Sequence, residues 1–234
     1  MKFLSRMGYK AAVLHRLGGV EPKLCLLCGF SGYFRPAGHP PRYDAECPTC
    51  GSRERHRLFG LMLRQDASFG RGRVIHFAPE ACLGPLLRER ADEYRSADPI
   101  MPGCDLRLDI GAIDLPSGSV DFFIANHVLE HVDDAKALEE MRRCLVPGGV
   151  AAISVPVIEG WKHTYDDPAI AAGGEMLRKL HFGHPDHRRM YGADVRQRIA
   201  RCGFEVSDFT AGGADCVKYR LTPGQTVFLA RKRG

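Results

Sequence analysis

Two short turns, Cys25-Leu-Leu-Cys28-Gly29 and Cys47-Pro-Thr-Cys50-Gly51, restrict this chain more than any other feature. A CxxC turn brings two thiolates together, and two such turns supply the four sulfurs that a tetrahedral zinc ion takes at about 2.3 Å. The spacing C-x2-C-x18-C-x2-C falls within the range of zinc sites. A glycine after each pair tolerates positive φ and lets the chain double back, so that amides can face the sulfurs. Cys25, Cys28, Cys47 and Cys50 are therefore expected to hold zinc with no open position, as a structural rather than catalytic metal. A redox CxxC usually opens a helix in a βαβ unit, and nothing of that kind surrounds these cysteines.

The other cysteines, Cys82, Cys104, Cys144, Cys202 and Cys216, are scattered and mostly set among apolar residues, the pattern of buried free thiols. With no signal peptide and no apolar run of about 18 residues, the sequence reads as a reduced cytoplasmic protein without membrane insertion. Charge is uneven. Residues 1–70 carry 11 Lys+Arg and 5 Asp+Glu, net +6, while the rest carries 22 and 23, net −1. A basic zinc module permits a nucleic-acid or anionic partner, or is simply a solvated face. Arg53, Arg55, His56 and Arg57 follow the second turn directly, with Ser52 placed to cap a helix that buries Leu58, Leu61 and Met62.

From Gly72 the chain alternates between strand and helix. Strands are expected at Arg73–Phe77, Tyr94–Ala97, Asp105–Leu108, Val120–Ala125 and Val150–Val155. Helices are expected at Cys82–Asp92, at Ala135–Leu145 with a stop at Pro147-Gly-Gly149, and at Ala193–Cys202. Continuous apolar strands separated by helices imply a largely parallel sheet covered on both faces. Phe204–Phe209 and Thr226–Ala230 suit an antiparallel pair at the sheet edge. The 234 residues then divide into a short amphipathic helix (1–20), a four-cysteine zinc ribbon (21–52) and an α/β domain (53–234).

Asn126-His-Val-Leu-Glu130-His131, followed by Arg143-Cys-Leu-Val-Pro147-Gly-Gly149, resembles the class I S-adenosylmethionine (SAM) dependent methyltransferases. With the cysteine turns and the loop His76-Phe-Ala78-Pro79-Glu80, the chain is similar to a bacterial subgroup with an N-terminal zinc module. The resemblance implies a Rossmann-like, seven-stranded, mostly parallel sheet whose last strand is antiparallel. Ligands in open α/β sheets bind at the carboxyl ends of the strands. Asp98 ends the second strand, 21 residues beyond the end of the first, where a carboxylate can accept both ribose hydroxyls of the cofactor. The resemblance places Asp109 and Ile110 against the adenine, and Asn126 and His127 beside the sulfonium. Carboxylates at strand ends also serve as turn residues. The first loop departs from the family, with alanine, glutamate and cysteine where glycines are usual and histidine where the usual acid would be. Either Glu80 replaces the missing acid and pairs with the cofactor's ammonium, with Ala78 beside it, or the pocket no longer holds SAM.

Between Val155 and Gly192 the rhythm breaks for 36 residues, which hold four of the ten histidines. Loops of that length inside a domain are usually lids or binding elements, so 157–191 is read as a substrate cap. Methyl transfer needs an aligned acceptor and a base, and histidine titrates near neutrality. His187 is the preferred base, oriented by Asp186 or Asp166, with His127 and His163 as the other candidates. Trp161, Tyr165, Arg188 and Tyr191 are candidates for holding the acceptor. The same Asp-His-Arg tract can instead pin the loop, and His181, His184 and His187 can be read as a second metal site. The leading function is O-methylation of a small molecule or glycan. The alternatives are an RNA methyltransferase gripping phosphates with the basic module, and a binding protein without catalysis.

Overall fold

The computed structural model describes residues 19, 21–38 and 41–234. The expected N-terminal helix lies outside the described residues, apart from Gly19. The strands are β1 (Lys23–Leu24), β2 (Ser31–Gly32), β3 (Arg35–Ala37), β4 (Arg42–Glu46), β5 (Arg73–Phe77), β6 (Glu93–Ala97), β7 (Val120–Asn126), β8 (Leu145–Ser154), β9 (Val157–Ile158), β10 (Tyr191–Gly192), β11 (Phe204–Thr210) and β12 (Thr226–Lys232). The helices are α1 (Glu54–Gln65), α2 (Gly84–Arg90), α3 (Asp134–Cys144), α4 (Pro168–Ala171), α5 (Glu175–Phe182), α6 (Val195–Arg201) and α7 (Gly213–Tyr219), with a 3-10 turn at Leu129–His131.

The chain divides into two compact units. The cysteine unit comprises the described residues up to Ala67, the stretch Glu80–Leu86 and the stretch Thr210–Gln225. Two small antiparallel pairs, β1 with β2 and β3 with β4, carry the cysteine turns. Helix α1 buries Leu58, Phe59, Met62 and Leu63. It packs so tightly on the first turn that a Cβ at Gly60 would come within 2.4 Å of Leu27. Ser52 does not cap α1. The helix starts one residue later, and the Nδ1 of His56 accepts from the Arg53 amide in its place.

The second unit is built on a six-stranded sheet of order β11-β12-β8-β7-β5-β6. Strands β6, β5, β7 and β8 run parallel, and β12 pairs antiparallel with β8. The runs Val120–Asn126 and Val150–Ser154 are almost wholly buried, as a sheet covered on both faces requires. Asp133 caps α3 by accepting from the Lys136 amide, and Ala137, Leu138, Met141 and Cys144 face the core.

Two expectations change. The seventh strand, expected at Asp105–Leu108, is reduced to a single parallel bridge between Ala97 and Leu106. The Asp105 carboxylate takes the Ser96 amide at 2.8 Å, displacing the next rung of a ladder. Helix α3 ends at Cys144, before Pro147, and Pro147-Gly-Gly149 forms a bulged start to β8, with Gly148 at φ +79.

Candidate functional site

The four cysteines meet as their spacing demands, with all sulfurs within 4.8 Å of one another. Cys25 and Cys50 are 3.6 Å apart and Cys28 and Cys47 3.7 Å apart. A tetrahedron of 2.3 Å bonds puts sulfurs about 3.8 Å apart, so the cluster already has the dimensions of a zinc site. Gly29 and Gly51 adopt φ +76 and +68, and each donates back to the carbonyl of the first cysteine of its turn. Burial pushes the Cys25 thiol up, but the Ser52 hydroxyl and the amides of Cys28 and Leu27 outweigh it and hold the group at about 7.

Two of the four basic residues after the second turn are spent inside this unit. Arg57 is fully buried. It donates to the carbonyls of Ser52, Ala45, Tyr219 and Arg220 and lies 4.8 Å over the Phe34 ring. His56 is buried as well, with the Cys82 thiol 3.3 Å from its Nδ1 and Glu80 3.5 Å from its Nε2. Burial drives the His56 pKa down to about 4. Glu80 is thus a partner of His56. Neither Arg57 nor His56 is presented to phosphate.

At the carboxyl edge of the sheet the register aligns the predicted cofactor residues. Phe77 lies opposite both Ala97 and Ala125, so Ala78, Asp98 and Asn126 follow at one level on three adjacent strands. Ala78 stands at φ +46. The left-handed backbone that glycine normally supplies is therefore kept with an alanine. Asp98 Oδ1 accepts from the amides of Ile100 and Met101 at 2.9 and 2.7 Å, while Oδ2 meets no protein donor among the described residues. Asp109 is exposed and turns the chain by accepting from Gly111. Ile110 is 3% exposed and packs in the hydrophobic core, so it offers no face to an adenine. Asn126 is buried, its Oδ1 accepting from the Ser154 hydroxyl.

His127 follows at φ +57, a conformation rare for a residue with a Cβ. It carries its ring to within 3.1 Å of a Glu130 oxygen, Nδ1 toward the carboxylate. Glu130 is 1% exposed, and neither of its oxygens has a hydrogen bond, nor does His127 Nε2. Hydrolases orient a basic histidine with a buried carboxylate that accepts from Nδ1; here the two groups are as close but without hydrogen-bond geometry.

The cap segment leaves and rejoins the sheet at one place, because β9 pairs in parallel with β10. Its base is fixed by a network that sequence reasoning missed. Arg189, not Arg188, turns inward. It donates to the carbonyls of Leu129 and Val132 and pairs with Asp166 at 3.2 Å. Asp134, also buried, is shared by Arg189, Arg198 and the Tyr191 hydroxyl. Tyr191 is 1% exposed and is a core residue, so it cannot hold an acceptor. Arg188, Trp161 and His163 are exposed, and the Tyr165 hydroxyl bonds His181 Nδ1 at 2.7 Å. Neither expected partner orients His187. Asp166 is taken by arginines, the Asp186 carboxylate lies 3.9 Å from His184, and His187 Nδ1 donates to the Phe182 carbonyl. Burial lowers the His187 pKa.

Comparison with known proteins places this geometry. Residues 81–153 match the family described as methyltransferase domain. No curated protein matches the chain in sequence. Among solved structures, YcgJ of Bacillus subtilis is 15% identical, with a TM-score of 0.51 over 76% of this chain and 99% of its own. A SAM-dependent methyltransferase of Mesorhizobium loti is 17% identical, with a TM-score of 0.51 over 75% and 98%. The 1,6-didemethyltoxoflavin-N1-methyltransferase of Burkholderia thailandensis, solved with bound 1,6-didemethyltoxoflavin and S-adenosylhomocysteine, is 14% identical, with a TM-score of 0.52 over 77% and 79%. The sheet unit thus has the Rossmann-like fold of the SAM-dependent methyltransferases, and the four-cysteine cluster belongs to the other unit. Among the described residues no helix is long and apolar enough to cross a membrane.

Proposed function

We propose that the protein transfers the methyl group of SAM to an oxygen of a small-molecule or glycan acceptor. The observation that carries this reading is the His127–Glu130 pair at the carboxyl end of β7, level with Ala78 and Asp98. Asp98 Oδ2 holds the ribose hydroxyls, and the left-handed turn at Ala78 lets backbone approach the cofactor's methionine portion. The His127 imidazole takes the acceptor proton, its Nε2 being buried in this conformation and reached only when the acceptor displaces what covers it, and Glu130, 3.1 Å from Nδ1, stabilises the imidazolium; the acceptor oxygen attacks the methyl carbon in line and S-adenosylhomocysteine leaves as the neutral thioether. Among the histidine candidates His127 is preferred over His187 and His163, because only His127 has a buried carboxylate beside its ring. Trp161, Tyr165 and Arg188 of the cap face the acceptor. The small-molecule preference follows the neighbour solved with bound 1,6-didemethyltoxoflavin and the internal use of Arg57 and His56, which leaves the RNA reading less support.

Calorimetric titration with SAM and with S-adenosylhomocysteine tests the proposal. Binding in the micromolar range is expected, weakened at least tenfold in Asp98→Ala and retained in His127→Asn, whose transfer activity is lost. Folded, zinc-loaded protein that binds neither ligand would overturn it.

A further inference from the structure

A second group of candidate ligands lies in the sheet unit, apart from the cysteines. His131, His184 and His187 each offer a ring nitrogen, and the three atoms lie within 4.8 Å of one another. The rings of His184 and His187 are 4.9 Å apart, and His131 is 4.9 Å from His187 and 5.9 Å from His184.

The chain builds this approach from two directions. Gly183 ends α5 in the left-handed region at φ +77. The next four residues, His184-Pro185-Asp186-His187, close a turn in which the His187 amide donates to the His184 carbonyl. A four-residue turn brings its first and last residues together, and proline suits its second position. His131 comes from the 3-10 turn after β7. The two turns are tied by the Arg188 amide, which donates to the Glu130 carbonyl at 2.8 Å. The sequence grouping of His181 with His184 and His187 is therefore replaced: His181 is held by Tyr165, and His131 takes its place.

Three features make these rings more than neighbours. The Nδ1 atoms of His131 and His187 each face a backbone carbonyl, of Asp186 at 3.3 Å and of Phe182 at 3.2 Å. A carbonyl requires a donor, so both rings carry the proton on Nδ1 and keep the Nε2 lone pair for a ligand, the usual outer arrangement of metal-binding histidines. His184 Nδ1 accepts from the Asp186 amide, and its ring must change tautomer to bind through Nε2, with the Asp186 carboxylate 3.9 Å away to receive the new donor. Glu130, next to His131 in the chain, is buried and has no hydrogen bond. Three imidazoles leave one position of a tetrahedron open.

We propose that His131, His184 and His187 bind a divalent first-row transition ion of the zinc, cobalt or nickel kind. With Zn–N bonds of about 2.0 Å the nitrogens would close to roughly 3.3 Å, drawing the cap's turn onto the 3-10 turn after β7. The site neighbours Glu130 of the proposed SAM chemistry, but metal binding is read without methyl transfer. It gives the cap an anchor besides β9–β10 and the Arg189 network.

Cobalt(II), added to full-length protein already carrying one equivalent of zinc, tests the assignment. One further equivalent should bind with visible d–d absorption and without thiolate charge-transfer bands. His184→Ala, at an exposed position, should weaken that binding at least tenfold while the zinc content stays at one equivalent. His187→Ala should abolish it. No second equivalent up to 100 µM cobalt, bands of thiolate type only, or binding unchanged in His184→Ala would each overturn the proposal.

Discussion

His56 gives the cysteine unit a calculable sensitivity to acid. Its ring is 6% exposed and its pKa is lowered from 6.5 to about 4, mainly by burial. Below pH 6.5 the unfolded chain takes up a proton that the folded chain refuses, so stability is complete above about pH 6.5 and falls as pH drops toward 4. For these two values the loss is about 0.8 kcal/mol at pH 6 and about 2 kcal/mol at pH 5, approaching roughly 3.4 kcal/mol below pH 4. His56→Gln removes the titration and keeps a side-chain acceptor for the Arg53 amide. Urea unfolding of zinc-loaded wild type and variant, compared from pH 7.5 to 5, isolates the effect, because protonation of the cysteine thiolates is common to both. The difference between them should shift by about 2 kcal/mol across that range. A constant difference would show that His56 is protonated in the folded protein, paired with Glu80, and would refute the reasoning.

Two further outcomes concern the sheet unit. Ala78→Gly relieves about 1–2 kcal/mol of left-handed strain and adds about 0.5–1 kcal/mol of chain entropy, so thermal unfolding should show a small stabilisation; a loss of 1 kcal/mol or more would mean that the loop is not held left-handed. Arg189→Met strips buried Asp134 of one of its two cations and leaves the Leu129 and Val132 carbonyls without this donor, so it should cost about 3 kcal/mol in urea unfolding and speed proteolysis within residues 159–188; a change under about 0.5 kcal/mol would refute the anchoring role.

The parts of this fold that local chemistry determines could be read directly. The CxxCG turns carry their own geometry, and Val120–Asn126 and Val150–Ser154 are apolar runs that only a covered strand satisfies. What depended on distant partners could not. Asp105–Leu108 has a strand's alternation, but the Asp105 carboxylate captures Ser96 and ends the ladder. In Arg188-Arg189 nothing local says which side chain turns inward; that is decided by Asp134 and Asp166, far away in sequence. Tyr191 and Ile110 look like lid and cofactor residues until the core claims them. The pairing of His127 with Glu130 had a usable signal in its three-residue spacing, which the 3-10 turn converts into contact.

The cysteine unit draws on three separated stretches of chain, stapled by Arg57 to the Tyr219 and Arg220 carbonyls, by Arg220 to Tyr43, and by Cys82 to His56. Such a unit is not a removable tag. A chain begun after Cys50 would strand α1, the loop beyond β5 and the α7 hairpin without the knot they close around. Disruption of the cysteine cluster, read by a protease, would therefore open cleavage points in all three stretches of the polypeptide together.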